Sequence, residues 1–181
     1  MSDAASPPLC FAFTATLRER GARPVDRIAT GADLLRWLDA AGLLATPVAA
    51  GDELLTSAHE LREAIYRAGT AVAVGALPAA CDEALLNRWT ARSSATRVLR
   101  NGRAGWVFPA GEPVHAALAL VAVDAVETLG SGHPIRTCAD PGCRALFADF
   151  SRPRNRRWCS MATCGNRAKK AHQRAFKEGI A

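Results

Sequence analysis

The chain has 181 residues, 49% of them hydrophobic and 22% charged, with a formal net charge of +6; such a composition is globular and excludes a disordered or fibrous chain. The charge is uneven, because residues 1–132 hold 12 arginines against 14 acids while residues 133–181 hold 11 lysines and arginines against 3 acids, a net +8. The local excess implies an anionic partner, nucleic acid before membrane, and no apolar run is long enough for a bilayer, since Ala116–Val123 is closed by Asp124 and Glu127.

Pro7–Phe13 lacks the positive flank of a secretory signal, so a cytoplasmic protein with reduced thiols is expected. Residues 1–9 read as a frayed terminus, and Cys10–Leu17 (CFAFTATL) reads equally as a short strand or a helical turn. Thr30–Leu44 predicts a helix: Thr30 is a cap with Asp33 three residues on, and Leu34, Leu38 and Ala41 recur at helical spacing before Gly42. Asp52–Ala68 predicts a second, with Leu54, Ala58, Leu61, Ile65 and Ala68 on one stripe and Gly69 closing it. Pro78 suits the first turn of a third, running to about Arg92 with Cys81, Leu85 and Trp89 inward, which makes Cys81 an inert core thiol.

Thr96–Arg100 and Ala104–Pro109 flank Asn101-Gly102, the dipeptide of a two-residue hairpin turn. Glu112-Pro113 then opens a long Ala-rich helix, with Leu118, Val121, Ala125 and Leu129 inward, and Gly130-Ser131-Gly132 ends it and marks a domain boundary. Across 1–132 the titratable residues His59, His115, Asp52, Glu53, Asp124 and Glu127 have no spacing that unites a nucleophile, a base and an orienting acid. An enzyme is therefore not the expectation, and this part is read as scaffold, dimer surface or sensor of a small-molecule effector.

The chemistry lies in 133–181. Cys138 and Cys143 are separated by four residues, Cys159 and Cys164 by four, and the pairs by fifteen. Short gaps let one tight turn aim two thiolates at a point, and two such turns complete the tetrahedron that one Zn²⁺ accepts at about 2.3 Å per sulfur. Pro141 and Gly142 supply the first turn. Two disulfides are the alternative, disfavoured in a reducing compartment. His133 and His172 enter the ligand set only if a cysteine is displaced.

Between the pairs, Leu146, Phe147 and Phe150 suit a short strand returning over the metal, while Ser151–Asn155 reads as a basic loop from which Arg152, Arg154, Arg156 and Arg157 project. Ser160 is a natural N-cap for a helix to Lys177, with Met161, Cys164, Ala168, Ala171 and Ala175 inward and Arg167, Lys170, Arg174 and Lys177 beside them. Trp158 reads as the cap of a small core or a base-stacking surface. Gly165 implies a close approach within the helix, for instance by the Cys138 turn. Asn166 and Arg167 read either as hydrogen-bonding braces around the metal turns or as base contacts.

Arg156–Ala171, RRWCSMATCGNRAKKA, resembles the signature of the bacterial CGNR zinc-finger family, whose name is the tetrad Cys164, Gly165, Asn166, Arg167. Upstream, DLLRWLDAAGLL and ELREAIYRAG are similar to phrases of the Ala-rich ABATE domain that this family joins to its finger. The resemblance implies a stress-induced transcriptional regulator. The expectation is an α+β chain: a mostly helical domain with a β-hairpin over 1–132, then a treble-clef or ribbon-like four-cysteine finger over 133–181 ending in a basic helix. Its partners would be DNA or, less directly, RNA, with a homodimer possible; the alternative is a protein-interaction module whose zinc is purely structural.

Overall fold

The computed structural model describes residues 7–44, 51–109 and 111–179; part of the predicted frayed terminus therefore lies outside the described residues. In chain order the elements are helix α1 (Leu9–Thr14), strands β1 (Leu17–Arg18) and β2 (Val25–Asp26), helices α2 (Gly31–Ala40), α3 (Asp52–Ala73) and α4 (Ala80–Thr90), strands β3 (Thr96–Arg100) and β4 (Arg103–Val107), helix α5 (Pro113–Gly130), strands β5 (Ile135–Thr137) and β6 (Leu146–Ala148), a single π turn at Met161–Gly165, and helix α6 (Asn166–Glu178). The strands form three separate antiparallel pairs, β1–β2, β3–β4 and β5–β6.

Local signals set several of these elements. The Thr30 hydroxyl accepts from the Asp33 amide at 3.2 Å and the Asp33 carboxylate from the Thr30 amide at 3.0 Å, so the predicted cap starts α2. Asn101 and Gly102 take φ of 49° and 73°, and the β3–β4 ladder runs Thr96 opposite Val107 to Arg100 opposite Arg103. The ambiguous Cys10–Leu17 stretch is helical first, with the Cys10 amide held by the Asp124 carboxylate of α5 at 2.7 Å.

Helix α5 is the axis of the core. Val114, Ala116–Ala122 and Ala125 are buried, and α1, α3 and α4 pack around it. By length and composition its eighteen residues are apolar enough to cross a membrane, but an all-round apolar helix is also what the centre of a helical core requires. Two sequence expectations fail nearby. Helix α4 begins at Ala80 rather than at Pro78, and the face it buries is Asp82, Leu86 and Trp89. Asp82 is drawn inward by the Arg67 guanidinium, 2.5 Å away, and this rotation leaves Cys81 exposed instead of in the core.

The second correction concerns Gly69, which does not end α3; the helix continues to Ala73 and stops before Gly75, at φ 75°. Gly69 is buried, and a Cβ there would lie 2.5 Å from Leu146 Cδ1 and 3.6 Å from Phe11 Cε1. Its lack of a side chain lets β6 sit against α3. The apolar core accordingly crosses Gly130–Gly132, taking in Ile135, Leu146 and Ala148 from the C-terminal module.

A half-buried ionic network centred on the buried Arg62 fastens the β1–β2 segment to the same helix. Arg62, 3% exposed, donates to both Asp26 oxygens at 2.7 and 2.8 Å, to Glu63 at 3.0 Å and to the Thr16 hydroxyl at 3.2 Å. Arg20 donates to both Glu63 oxygens and lies 3.9 Å over the Tyr66 ring, whose hydroxyl donates to the Arg144 carbonyl at 2.9 Å. Burial works to raise the Asp26 and Glu63 carboxyls, but the facing guanidinium groups outweigh it and hold both below the usual carboxylate range.

This network delivers Gly21 to the C-terminal module. Its amide donates to the Gly142 carbonyl at 3.2 Å, and a Cβ on it would fall 1.9 Å from the Pro141 carbonyl oxygen. Backbone cannot yield as a side chain does, so Gly21→Ala is expected to destabilise the protein by about 2 kcal/mol. Gly51→Ala, where a Cβ meets nothing within 4 Å, should stay within about 0.5 kcal/mol; chemical denaturation of the two variants checks the contrast.

Candidate metal centre

Asp140 builds the first cysteine turn. Its Oδ1 accepts from the Gly142 amide at 3.0 Å and the Cys143 amide at 3.3 Å, an Asx-type turn that Pro141 and Gly142 permit. The Cys138 amide donates to the Ala145 carbonyl at 2.8 Å, and the Ala139 amide donates to the Arg157 carbonyl at 2.8 Å. That second bond draws the stretch before Cys159 onto the first turn. The other pair is presented by the π turn, closed by the Gly165 amide on the Ser160 carbonyl at 3.0 Å.

The four thiols converge. Sγ of Cys143 and Cys159 are 3.7 Å apart, those of Cys159 and Cys164 3.8 Å, and all four lie within 4.8 Å of one another. A tetrahedron with about 2.3 Å per metal–sulfur bond has an edge of about 3.8 Å, so the donor set fits Zn²⁺; all six cysteines of the chain are free thiols. Burial first, then the neighbouring Cys143, push the Cys164 thiol up to about 12. Burial with the crowding of Cys143 and Cys138 raises Cys159 too. Cys138 goes the other way: its burial is outweighed by hydrogen bonds from the Cys159 and Asp140 backbone. Thiols crowded so that two resist ionisation are stabilised as thiolates by a cation at their centre.

The π turn is a departure from the helix expected to run unbroken from Ser160. Ser160 makes no side-chain cap. Gly165 faces Met161 and Trp158 rather than the Cys138 turn: a Cβ would lie 2.9 Å from Met161 Sδ and 3.4 Å from Trp158 Cδ1. The predicted inner stripe fails as well, since Met161, Ala171 and Ala175 are exposed, leaving Cys164 and half-buried Ala168 as its inward members.

The sequence-predicted cations divide into two groups. Arg156 is folded inward, its Nη2 donating to the Cys159 carbonyl at 3.0 Å and its guanidinium 5.2 Å over the Phe147 ring. Arg167 Nη1 lies 3.2 Å from Asp140 Oδ2 and braces α6 to the first cysteine turn. Asn166 donates to the Ala162 carbonyl at 3.1 Å, holding the π turn rather than the metal turns. Arg152, Arg154, Arg157, Lys170 and Arg174 are exposed, as is Lys169. His133 packs edge-on against Phe150 with ring centres 5.1 Å apart, away from the thiol cluster.

Sequence reasoning missed the two acids that organise this module, Asp140 and Asp149. Asp149, 1% exposed, accepts from the Ser151 hydroxyl at 2.6 Å and amide at 3.1 Å, the Arg156 amide at 2.9 Å and Arg136 Nε at 3.1 Å. Burial alone would raise this carboxyl, but those donors overcome it and hold it low. The signal was available: Asp-Pro-Gly and Asp-Phe-Ser are both side-chain-to-backbone turn sequences. Strand β5 was missed because three residues before the first cysteine carry no period.

Two family models match the chain: ABATE, described as "Putative stress-induced transcription regulator", over residues 7–132, and the CGNR zinc finger over residues 135–176. No curated protein matches it. The second match and the close-set thiols agree on one zinc ion per chain.

Cys159→Ser should reduce elemental zinc from one per chain to none. Because Ile135, Leu146 and Ala148 belong to the main core, the same variant should lower the melting temperature of the helical body, not of the module alone. Asp149→Asn leaves buried donors facing an amide nitrogen and should lose about 2 kcal/mol at neutral pH. The carboxyl is held low in the folded chain, so its contribution is full above the unfolded value of about 4 and is lost as pH falls from there through the lower folded value; the stability gap between the two proteins should therefore narrow on acidification below about pH 4.

Proposed function

Because this chain belongs to the ABATE family and ends in a CGNR zinc finger, we propose that it is a zinc-dependent DNA-binding regulator whose N-terminal part senses a signal or dimerises. The observation that carries the reading is a segregation of charge. Asp140 and Asp149 are buried and bonded within the finger, whereas Arg152, Arg154, Arg157, Lys169, Lys170 and Arg174 face solvent, and none of these six makes an ion pair among the described residues. With these two acids turned inward, the charge the finger shows to solvent among its described side chains is cationic.

Two elements carry those cations. The loop Ser151–Asn155 is shaped by Asp149 and by the Arg154 amide on the Ser151 carbonyl at 3.0 Å, so the guanidinium groups of Arg152 and Arg154 stand on a fixed turn, with Arg157 just beyond it, and can fork onto phosphates. Helix α6 has thirteen residues, about 20 Å, and is exposed at every position from Lys169 to Phe176. An unpartnered basic helix of this size fits the DNA major groove. The pairing of Arg167 with Asp140 fixes the angle at which α6 leaves the zinc site.

The sensing role finds support in a cleft of about 320 Å³ between α1–β1 and the finger, lined by Phe11, Ala15, Leu17 and Phe147 and reaching Cys143 and Cys159. A small effector held there would touch both the N-terminal part and the metal ligands.

Binding of duplex DNA should weaken with salt at about −0.9 in log–log slope per phosphate neutralised. Replacing Arg152, Arg154 and Arg157 by Gln should flatten that slope by about 3, equally on all sequences. Metal-free protein should lose the binding. A native protein with no salt-sensitive affinity for DNA, retaining instead one acidic protein partner after nuclease treatment, would replace this reading with a protein-docking finger.

A further inference from the structure

The segment Ala84–Gly111 holds five arginines and no aspartate or glutamate, inside a region whose acids otherwise outnumber its arginines. Arg88 and Arg92 lie at the end of α4 and just past it; Arg97, Arg100 and Arg103 lie on the β3–β4 ribbon. Among the described residues Arg88, Arg92, Arg97 and Arg103 are exposed and take part in no ion pair.

Among the described residues the ribbon's strands pair with each other and with no third strand, and Trp106 ties one face of it to the core. The register sets Arg100 directly opposite Arg103, so two cationic positions face each other at the turn end of a segment that has no acid of its own. Beside this pair, Gly105 stands opposite Val98, and a Cβ at Gly105 would meet nothing within 4 Å. That face is bare enough for another backbone to approach. On the opposite face the Arg97 guanidinium lies 4.7 Å over the Trp106 ring, which restrains the cation while leaving its N–H edge free. A cationic ribbon with no acid in its own segment, on a surface open to close approach, suits a polyanion.

We propose that the β3–β4 ribbon is a second phosphate-binding element, gripping duplex DNA at a point separate from the zinc finger. This rests on the DNA-binding reading of the chain and extends it to a site outside the finger. The ribbon leads into the N-terminus of α5 and the finger begins just past its C-terminus. The eighteen residues of α5 make a spacer about 27 Å long, equal to about eight base pairs along a duplex. A two-stranded ribbon fits the major groove, and its arginines reach the flanking phosphates.

The test measures affinity of the zinc-loaded full chain for a duplex of about 24 base pairs across salt, by anisotropy. Changing Arg97, Arg100 and Arg103 to Gln should flatten the salt slope by about 2 to 3, and the corresponding Lys triple should restore it, because a phosphate contact needs the charge and not the indole stacking. Without DNA, Arg103→Gln should melt no lower than the native chain, since Arg103 is exposed and takes part in no ion pair among the described residues; this separates lost contact from lost fold. An unchanged slope in the Gln triple, with the Arg152, Arg154 and Arg157 variant still flattened, overturns the ribbon site and leaves the finger's role intact. Absence of salt-sensitive binding in the native chain overturns both. Ribbon-dependent binding to phosphatidylserine vesicles, with DNA affinity unmoved, would assign the surface to membrane and overturn the proposal as well.

Discussion

Two positions without side chains hold this protein together across its length. At Gly21 the chain comes within hydrogen-bonding distance of the first cysteine turn, and at Gly69 strand β6 lies on helix α3 with no room for a methyl group. At Gly21 the contact is with backbone and at Gly69 with the Leu146 side chain, and such close packing leaves little freedom of arrangement. Consequently the four-thiol site is no appendix. Its β5–β6 pair closes the open side of the helical core, and the half-buried Arg62–Asp26–Glu63–Arg20 network holds the loop that touches it. Anything that opens the thiol cluster also uncovers Leu146 and the face of α1 and α3 behind it.

Within the finger, electrostatics and folding use the same residues for opposite ends. Asp140 and Asp149 are turned inward, where they satisfy amides that would otherwise be unpaired in tight turns. Each recruits one arginine as a brace, Arg167 to the first and Arg136 to the second, and Arg156 braces the carbonyl of Cys159. Among the described residues the charged side chains left on the surface are lysine and arginine. The basic face is thus a by-product of how the turns are built, and the cations that hold the structure are distinct from those that only face solvent.

What the sequence discloses is what short-range physics controls. The Thr30–Asp33 box, the Asn101-Gly102 turn, the proline start of α5 and the cysteine spacing each act within a few residues and can be read directly. The failures are tertiary. Gly69 looks like a helix stop because its partner, Leu146, is 77 positions away. Cys81 looks like a core thiol because nothing local indicates that Arg67 will bury Asp82 instead. The stripe Ala171–Ala175 looks inward because helical periodicity records an apolar face whether or not the chain supplies something to cover it. Asp140 and Asp149 were hidden among the basic residues, where a charge count treats them as minor terms.

The shared core also bears on the order in which the chain matures. Its closing contacts are long in sequence: Cys10 with Asp124, Gly21 with Gly142, Tyr66 with Arg144. Contacts this distant form late, after loop closure over 78 to 121 residues. During synthesis the helical part emerges first and keeps the faces of α1 and α3 uncovered until β6 arrives. Completion then waits on four thiols being gathered, so the supply of metal in the cell governs how long a half-made chain stays open to proteases and aggregation.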